Sequence, residues 1–171
     1  MRKAGFAILL LMMLLTMGYS IGAGTPKPHL YRGDEKAAEA YIQSKGYSIT
    51  GYRGELSTYT LQKSLLREIW CEQIWSVQSE PPENYWGREI TTYGFVVENH
   101  PLSKKLQLPV EVNMMMTDGR VIGGYSFPHS DEPLVGAVYS LEGKVLEELT
   151  GLTFAEWKSR WEEKYGDQTG N

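Results

Sequence analysis

Three histidines carry most of the chain's potential for metal binding and acid–base work: His29, His100 in Asn99-His100-Pro101, and His129 in Phe127-Pro128-His129-Ser130-Asp131-Glu132. A zinc site wants ligands on one face, as in H-x-x-x-H or H-E-x-x-H, and none of the three has a partner at that spacing. The sequence therefore predicts no metal and no cofactor. His129, Ser130 and Asp131 contain the letters of a hydrolytic triad, but consecutive residues of an extended segment point in different directions and cannot hydrogen-bond in series. No G-x-S-x-G elbow accompanies them. Met114, Met115 and Met116 would suit copper(I), yet alternation along a strand leaves only Met114 and Met116 on one side, and that side reads as core. Gly123-Gly124 fits neither a P-loop nor a dinucleotide fingerprint. Carboxylates abound, and a glycosidase needs only two, but no spacing singles out a pair. Cys71, between Trp70 and Glu72, is the one cysteine, so no intrachain disulfide forms and it reads as a small buried hydrophobe.

Recognition chemistry is better represented. The chain holds 5 Trp and 11 Tyr, and Trp70, Trp75, Tyr85 and Trp86 flank Pro81-Pro82. Rings so placed line a groove for a glycan or an extended peptide, or else fill the core of a one-sheet domain. His100 and His129 each follow a predicted strand beside a proline that stiffens the loop carrying them. If the strand over 90–98 lies beside the strand ending at Phe127 and runs parallel to it, both loops leave one edge of the sheet and His100 approaches His129. The candidate ligand-binding residues are accordingly His100, His129, Asp131, Tyr85 and Trp86, and no residue is assigned to catalysis.

Periodicity supplies the elements that would position these groups. Ala37, Ala38, Ala40, Tyr41 and Ile42 form a helical stripe over 34–45, with Asp34 as N-cap and Gly46 as left-handed C-cap. Residues 47–52 and 58–61 read as strands broken by Gly51 and Gly54, which predicts a bulged pair. A short helix is expected over 62–68, and a strand in the second half of 69–78. Alternation over 90–98 is that of a strand. Asp118-Gly119 between two alternating runs predicts a type I′ hairpin over 110–127 with Thr117 opposite Arg120, Met116 opposite Val121, Met114 opposite Gly123, Val112 opposite Tyr125 and Val110 opposite Phe127. One face of that hairpin would be core and the other half-solvated. A strand over 134–141 and a short helical piece over 145–149 ending at Gly151 follow. Thr153 and Glu156 make a capping box for a last helix whose Phe154, Trp157, Trp161 and Tyr165 are expected to dock on the sheet. The sum is an α+β fold: a single antiparallel sheet of about five or six strands with helices packed on one face.

The N-terminus gives an address. Arg2 and Lys3 precede an apolar run over 4–17 that dissolves into Gly18, Ser20, Gly22, Ala23 and Gly24, the layout of an export signal. Ser20 with Gly22, or Gly22 with Gly24, would serve a signal peptidase. Residues 4–23 would also span a hydrocarbon core of roughly 30 Å, so an uncleaved anchor is the alternative and the only membrane contact expected. The absence of a cysteine directly after the run excludes a lipoprotein. Loss of Arg2 and Lys3 takes the net charge from −4 to about −6, which argues against nucleic acid and against a purely electrostatic hold on anionic polymers. The expected organisation is residues 1–24 as signal peptide or N-terminal anchor, 25–33 as an extended lead, 34–166 as a single α+β domain and 167–171 as a polar tail.

Tyr41-Ile42 through Gly46-Tyr47, Tyr85-Trp86-Gly87-Arg88-Glu89-Ile90, Asn99-His100-Pro101-Leu102, Asp118-Gly119-Arg120-Val121-Ile122-Gly123-Gly124 and Tyr139-Ser140-Leu141-Glu142-Gly143-Lys144, followed by Trp157, resemble small exported proteins of unknown function from Gram-positive spore-forming bacteria. The resemblance spans about residues 34–166 and brings no catalytic residues with it. A helix followed by curled strands is similar in outline to cystatin-like and PepSY-like exported domains, which bind or inhibit. The functional expectation is a secreted or extracytoplasmic bacterial protein, a non-enzymatic binding module for a protein, peptide or glycan at the cell surface. The alternative is an envelope- or wall-acting hydrolase with a scattered site.

Overall fold

A computed structural model describes residues 29–130 and 138–166. The export segment, the first part of the lead, Asp131, the first half of the expected strand over 134–141 and the polar tail lie outside the described residues. Helix α1 (Asp34–Ser44) forms where the alanine-rich stripe predicts, and buries Ala38 and Ile42. Its N-terminus starts from the Gly33 backbone, with no side-chain cap from Asp34. Its end follows the expected chemistry: Gly46 at φ 79° lets Gly46 N–H reach Gln43 O and Tyr47 N–H reach Ile42 O, which closes the last turn.

Strand β1 (Ser48–Thr60) is one continuous edge strand, bent by three register shifts against β2 (Glu89–Glu98). Gly51 and Gly54 border two of those shifts, so the expected break is a pair of bulges within one strand. After a short 3-10 turn (Lys63–Arg67) comes α2 (Ile69–Trp75), which runs into the second half of 69–78, where a strand is expected. Its buried residues Cys71 and Trp75 are four apart, a helical period that the β-favouring Ile and Trp content obscures. A second 3-10 turn (Pro82–Tyr85) leads into β2. Helix α3 (Pro101–Leu106), absent from the sequence reading, starts on the His100 side chain, which accepts from Leu102 N–H.

Strands β3 (Val110–Thr117) and β4 (Arg120–Pro128) make the predicted hairpin, with φ positive at both Asp118 and Gly119. Thr117 faces Arg120 and Met116 faces Val121 as derived, but then a bulge intervenes and Gly123 pairs with Met115, Gly124 with Met114 and Tyr125 with Asn113. That single extra residue moves Tyr125 and Phe127 to the opposite face from the one expected. Strand β5 (Tyr139–Ser140), then α4 (Leu146–Thr150) and α5 (Phe154–Tyr165) complete the described order. The sheet is open and antiparallel, ordered β1-β2-β3-β4-β5.

Helices cover both faces of this sheet, which corrects the expectation of one covered face. Val110, Val112, Met114 and Met116 pack with Ala38 and Ile42 of α1, while Met115 and Ile122 pack with Leu61, Leu66, Cys71 and Trp75 on the other side. Every residue of β3 is buried as a result, including the face expected to be half-solvated. Residues 29–33 of the lead also lie against the sheet: the Tyr31 ring centroid is 5.7 Å from Phe95 and the His29 ring 4.3 Å from Tyr52. No helix among the described residues is long and apolar enough to cross a membrane.

Candidate groove between the last helix and the 76–82 segment

Both loop histidines follow strands that flank β3 and run parallel to one another, so they leave the same end of the sheet. They face opposite sides of it, which separates the pair that sequence had brought together. His100 is 0% exposed on the α1 side: Nδ1 accepts from Leu102 N–H at 3.1 Å and Nε2 donates to Leu141 O at 2.9 Å. Burial pushes its pKa below the ordinary 6.5. With both nitrogens engaged it is a structural cap, not a ligand-binding tip. His129 is half-buried and sits 3.4 Å, through Nδ1, from Oε2 of Glu111, which alternates with Val110 and so lies on the α2 side. Arg53 Nε approaches the same oxygen at 3.6 Å. Among the described residues no three His, Cys, Asp or Glu side chains are placed to hold a metal ion.

The aromatic candidates divide as well. Tyr85 packs inward, its ring 6.0 Å from Trp75. Trp86 is 38% exposed and meets Tyr165 edge-on at 6.5 Å. The cysteine fits the bland reading: Cys71 is wholly buried, and desolvation pushes its thiol up to about 12.

A wall of rings that sequence reading had assigned to the core is partly open. Helix α5 does not dock on the sheet along its whole face. Its anchors are Trp161 Nε1, donating to Leu66 O at 2.8 Å, and Tyr165 Oη, donating to Glu83 at 2.7 Å, so it forms an outer layer over the first 3-10 turn and α2. The Thr153–Glu156 capping box forms as predicted. Lys158 grips the nearly buried Glu72 carboxylate at 2.9 and 3.0 Å, which raises the lysine's pKa. Along the helix Phe154, Trp157 and Trp161 stack with centroids 6.2 and 4.9 Å apart, and Tyr165 meets Trp161 at 4.4 Å. Phe154 is 47% exposed, Trp157 and Trp161 are half-buried, and only Tyr165 is buried.

Between this row and the 76–82 segment lies a cavity of about 330 Å³, with Trp75, Pro81 and Pro82 on one wall and Trp157, Arg160 and Trp161 on the other. A second cavity of about 350 Å³, bordered by Tyr41, Ser140 and Glu142, shares Ser76, Gln78, Ser79 and Thr150 with the first, so the two form one groove. Gln78 holds its floor. The amide Nε2 donates to Ile74 O at 2.7 Å and Gly124 O at 3.0 Å, while Oε1 accepts from Gly124 N–H at 2.8 Å. Added Cβ atoms at Gly123 and Gly124 would meet Gln78 Oε1 and Asn113 O respectively, which explains two consecutive glycines there. The prolines flanked by aromatics marked this region in the sequence; Gln78, Ser79 and Arg160 did not stand out, because isolated polar residues carry no periodic signal.

The open five-stranded antiparallel sheet with its helices defines an α+β protein, with the groove on its outer helical layer. Compared with protein-family models, with curated proteins and with solved structures, the chain matches none of them.

Proposed function

We propose that the protein is an exported, extracytoplasmic binding module, without catalysis of its own, that takes a peptide or glycan of the cell surface into the groove between α5 and the 76–82 segment. The observation that carries this reading is the stacked pair Trp157 and Trp161, large rings left partly open at the wall of a cavity, with the exposed Phe154 continuing the stack beyond it. Exposed aromatics grouped this way lose the benefit of burial, and such patches mark binding surfaces. The signal-like N-terminal segment and the resemblance to small exported proteins support an extracytoplasmic setting. The test is co-sedimentation of the purified exported protein with washed bacterial envelopes. Wild type is expected in the pellet, with at least fivefold less of Trp157→Ala and no change for Leu30→Ser, an exposed residue that lines neither cavity. Equal pelleting of Trp157→Ala and wild type removes the groove as the site.

A second reading, the envelope- or wall-acting hydrolase, draws on Glu111, which is 6% exposed and lies beside both His129 and Arg53. A buried carboxylate beside a half-exposed imidazole is an acid–base pair by type. That reading requires wild type, and not Glu111→Gln, to release new reducing ends or amines from wall material.

A further inference from the structure

We infer that the groove is selective for acidic saccharides, with a sugar ring laid against Trp157 and Trp161 and its carboxylate paired with Arg160. This rests on the groove being the binding site. Trp157, Arg160, Trp161 and Lys164 follow one another at three- and four-residue spacings on one face of α5, and all four line the cavity. Lys164 is matched by Glu83, whereas Glu80 and Glu156 accept only from the neutral groups of Asn84 and Thr153. Arg160 has no side-chain ion pair or hydrogen bond among the described residues; its field is felt by Glu156 one turn earlier, whose Oε2 is held by Thr153. An unpaired guanidinium beside an indole is suited to a planar anion, which it can hold through two parallel hydrogen bonds.

The other free groups also donate. The Trp157 indole N–H and the exposed Ser79 hydroxyl make no hydrogen bond with the described residues, and both border the same cavity. Flat apolar surface with outward donors matches a polyhydroxylated ring that has apolar faces and oxygen-rich edges. The volume, about 330 Å³, lies at the lower end of small-ligand sites and admits a short saccharide.

An extended peptide fits less well, for a backbone reason. Strand-like binding needs main-chain partners along the groove. Pro81 and Pro82 have no N–H to give, and the N–H and C=O of Gly124 are both taken by Gln78. A saccharide needs neither. The exported chain's net charge of about −6 would repel anions at long range, so the preference must come from the short-range Arg160 pair.

Titrations of the purified exported protein followed by tryptophan fluorescence and calorimetry test this, with tetragalacturonate, cellotetraose and tetraglutamate as probes. Tetragalacturonate is expected to bind at least tenfold more tightly than the other two. Arg160→Gln should weaken it at least tenfold without altering the melting temperature, Arg160→Lys should recover part of the loss, and Trp157→Ala should weaken both sugars. Cellotetraose binding as tightly as tetragalacturonate, or an Arg160→Gln variant that binds like wild type, overturns the acidic selectivity while the groove reading survives through Trp157→Ala. Tetraglutamate binding as well as the sugar overturns the saccharide, and so does failure of all three probes. If Trp157→Ala leaves every affinity unchanged, the groove reading itself falls.

Discussion

His100 and Gln78 illustrate how a polar side chain becomes structural once its hydrogen-bonding capacity is used up. The His100 imidazole accepts at Nδ1 and donates at Nε2, so protonation would leave Nδ1 facing Leu102 N–H, donor against donor. Burial holds its folded pKa below 6.5, and the unfolded chain therefore takes up the proton first. Stability is full above pH 6.5 and declines as pH falls below it, until the folded pKa is reached. His100→Ala is expected to cost about 2–4 kcal/mol and to flatten that decline, measured by urea unfolding across about pH 5 to 8. A variant with the wild-type slope would assign the titration elsewhere. Gln78 behaves like a one-residue strand: its amide pairs with both main-chain groups of Gly124 and ties them to Ile74. Replacing it with Ala strands a main-chain donor, for an expected loss of about 1–3 kcal/mol in the unfolding free energy. An unmoved denaturation midpoint would show that water replaces the amide without cost.

At the scale of elements, the hairpin and the last helix each follow their local code up to the point where a distant segment intervenes. Asp118-Gly119 sets the turn and the first two pairs. The bulge beyond Val121 answers to Gln78, which arrives from the end of α2 and occupies the space that a regular strand with side chains would need. In α5 the capping box and the four-residue ring spacing are local, but how far each ring is buried depends on where the helix is anchored. Leu66 O and Glu83 fasten its C-terminal half. Trp161→Ala should therefore cost about 2–3 kcal/mol, below the range for a fully buried indole, whereas Phe154→Ala should cost less than about 0.5 kcal/mol. Thermal unfolding of the two variants checks this, and equal losses would mean that the exposed end of the helix is packed as tightly as its anchor.

For the whole molecule, the covering of both sheet faces decides which surfaces stay open. With α1 on one side and the α2–α5 layer on the other, β3 is sealed, and the open surface lies on the outer helices instead of on the sheet. Export belongs to this scale too. Protein recovered from the medium or cell surface is expected to begin between Ala23 and Pro26, by N-terminal sequencing. Full-length chain in membranes would establish the anchor instead, and full-length chain confined to the cytosol would refute export.

Hydrophobic period, capping residues and turn dipeptides are local, and they sufficed for α1 with its Gly46 end, β2, the Asp118-Gly119 turn, the capping box of α5 and the α+β class. The prolines among aromatics were also legible in the sequence, and they border the cavity beside α5. Only tertiary structure decided that Ile69–Trp75 is a helix, since its Ile and Trp content suits a strand until Cys71 and Trp75 find the sheet face they cover. It likewise decided the opposite facing of His100 and His129 and the opening beside Arg160. Each depends on which distant group fills a given volume, and a one-residue bulge or an anchor two elements away changes that without leaving any period in the chain.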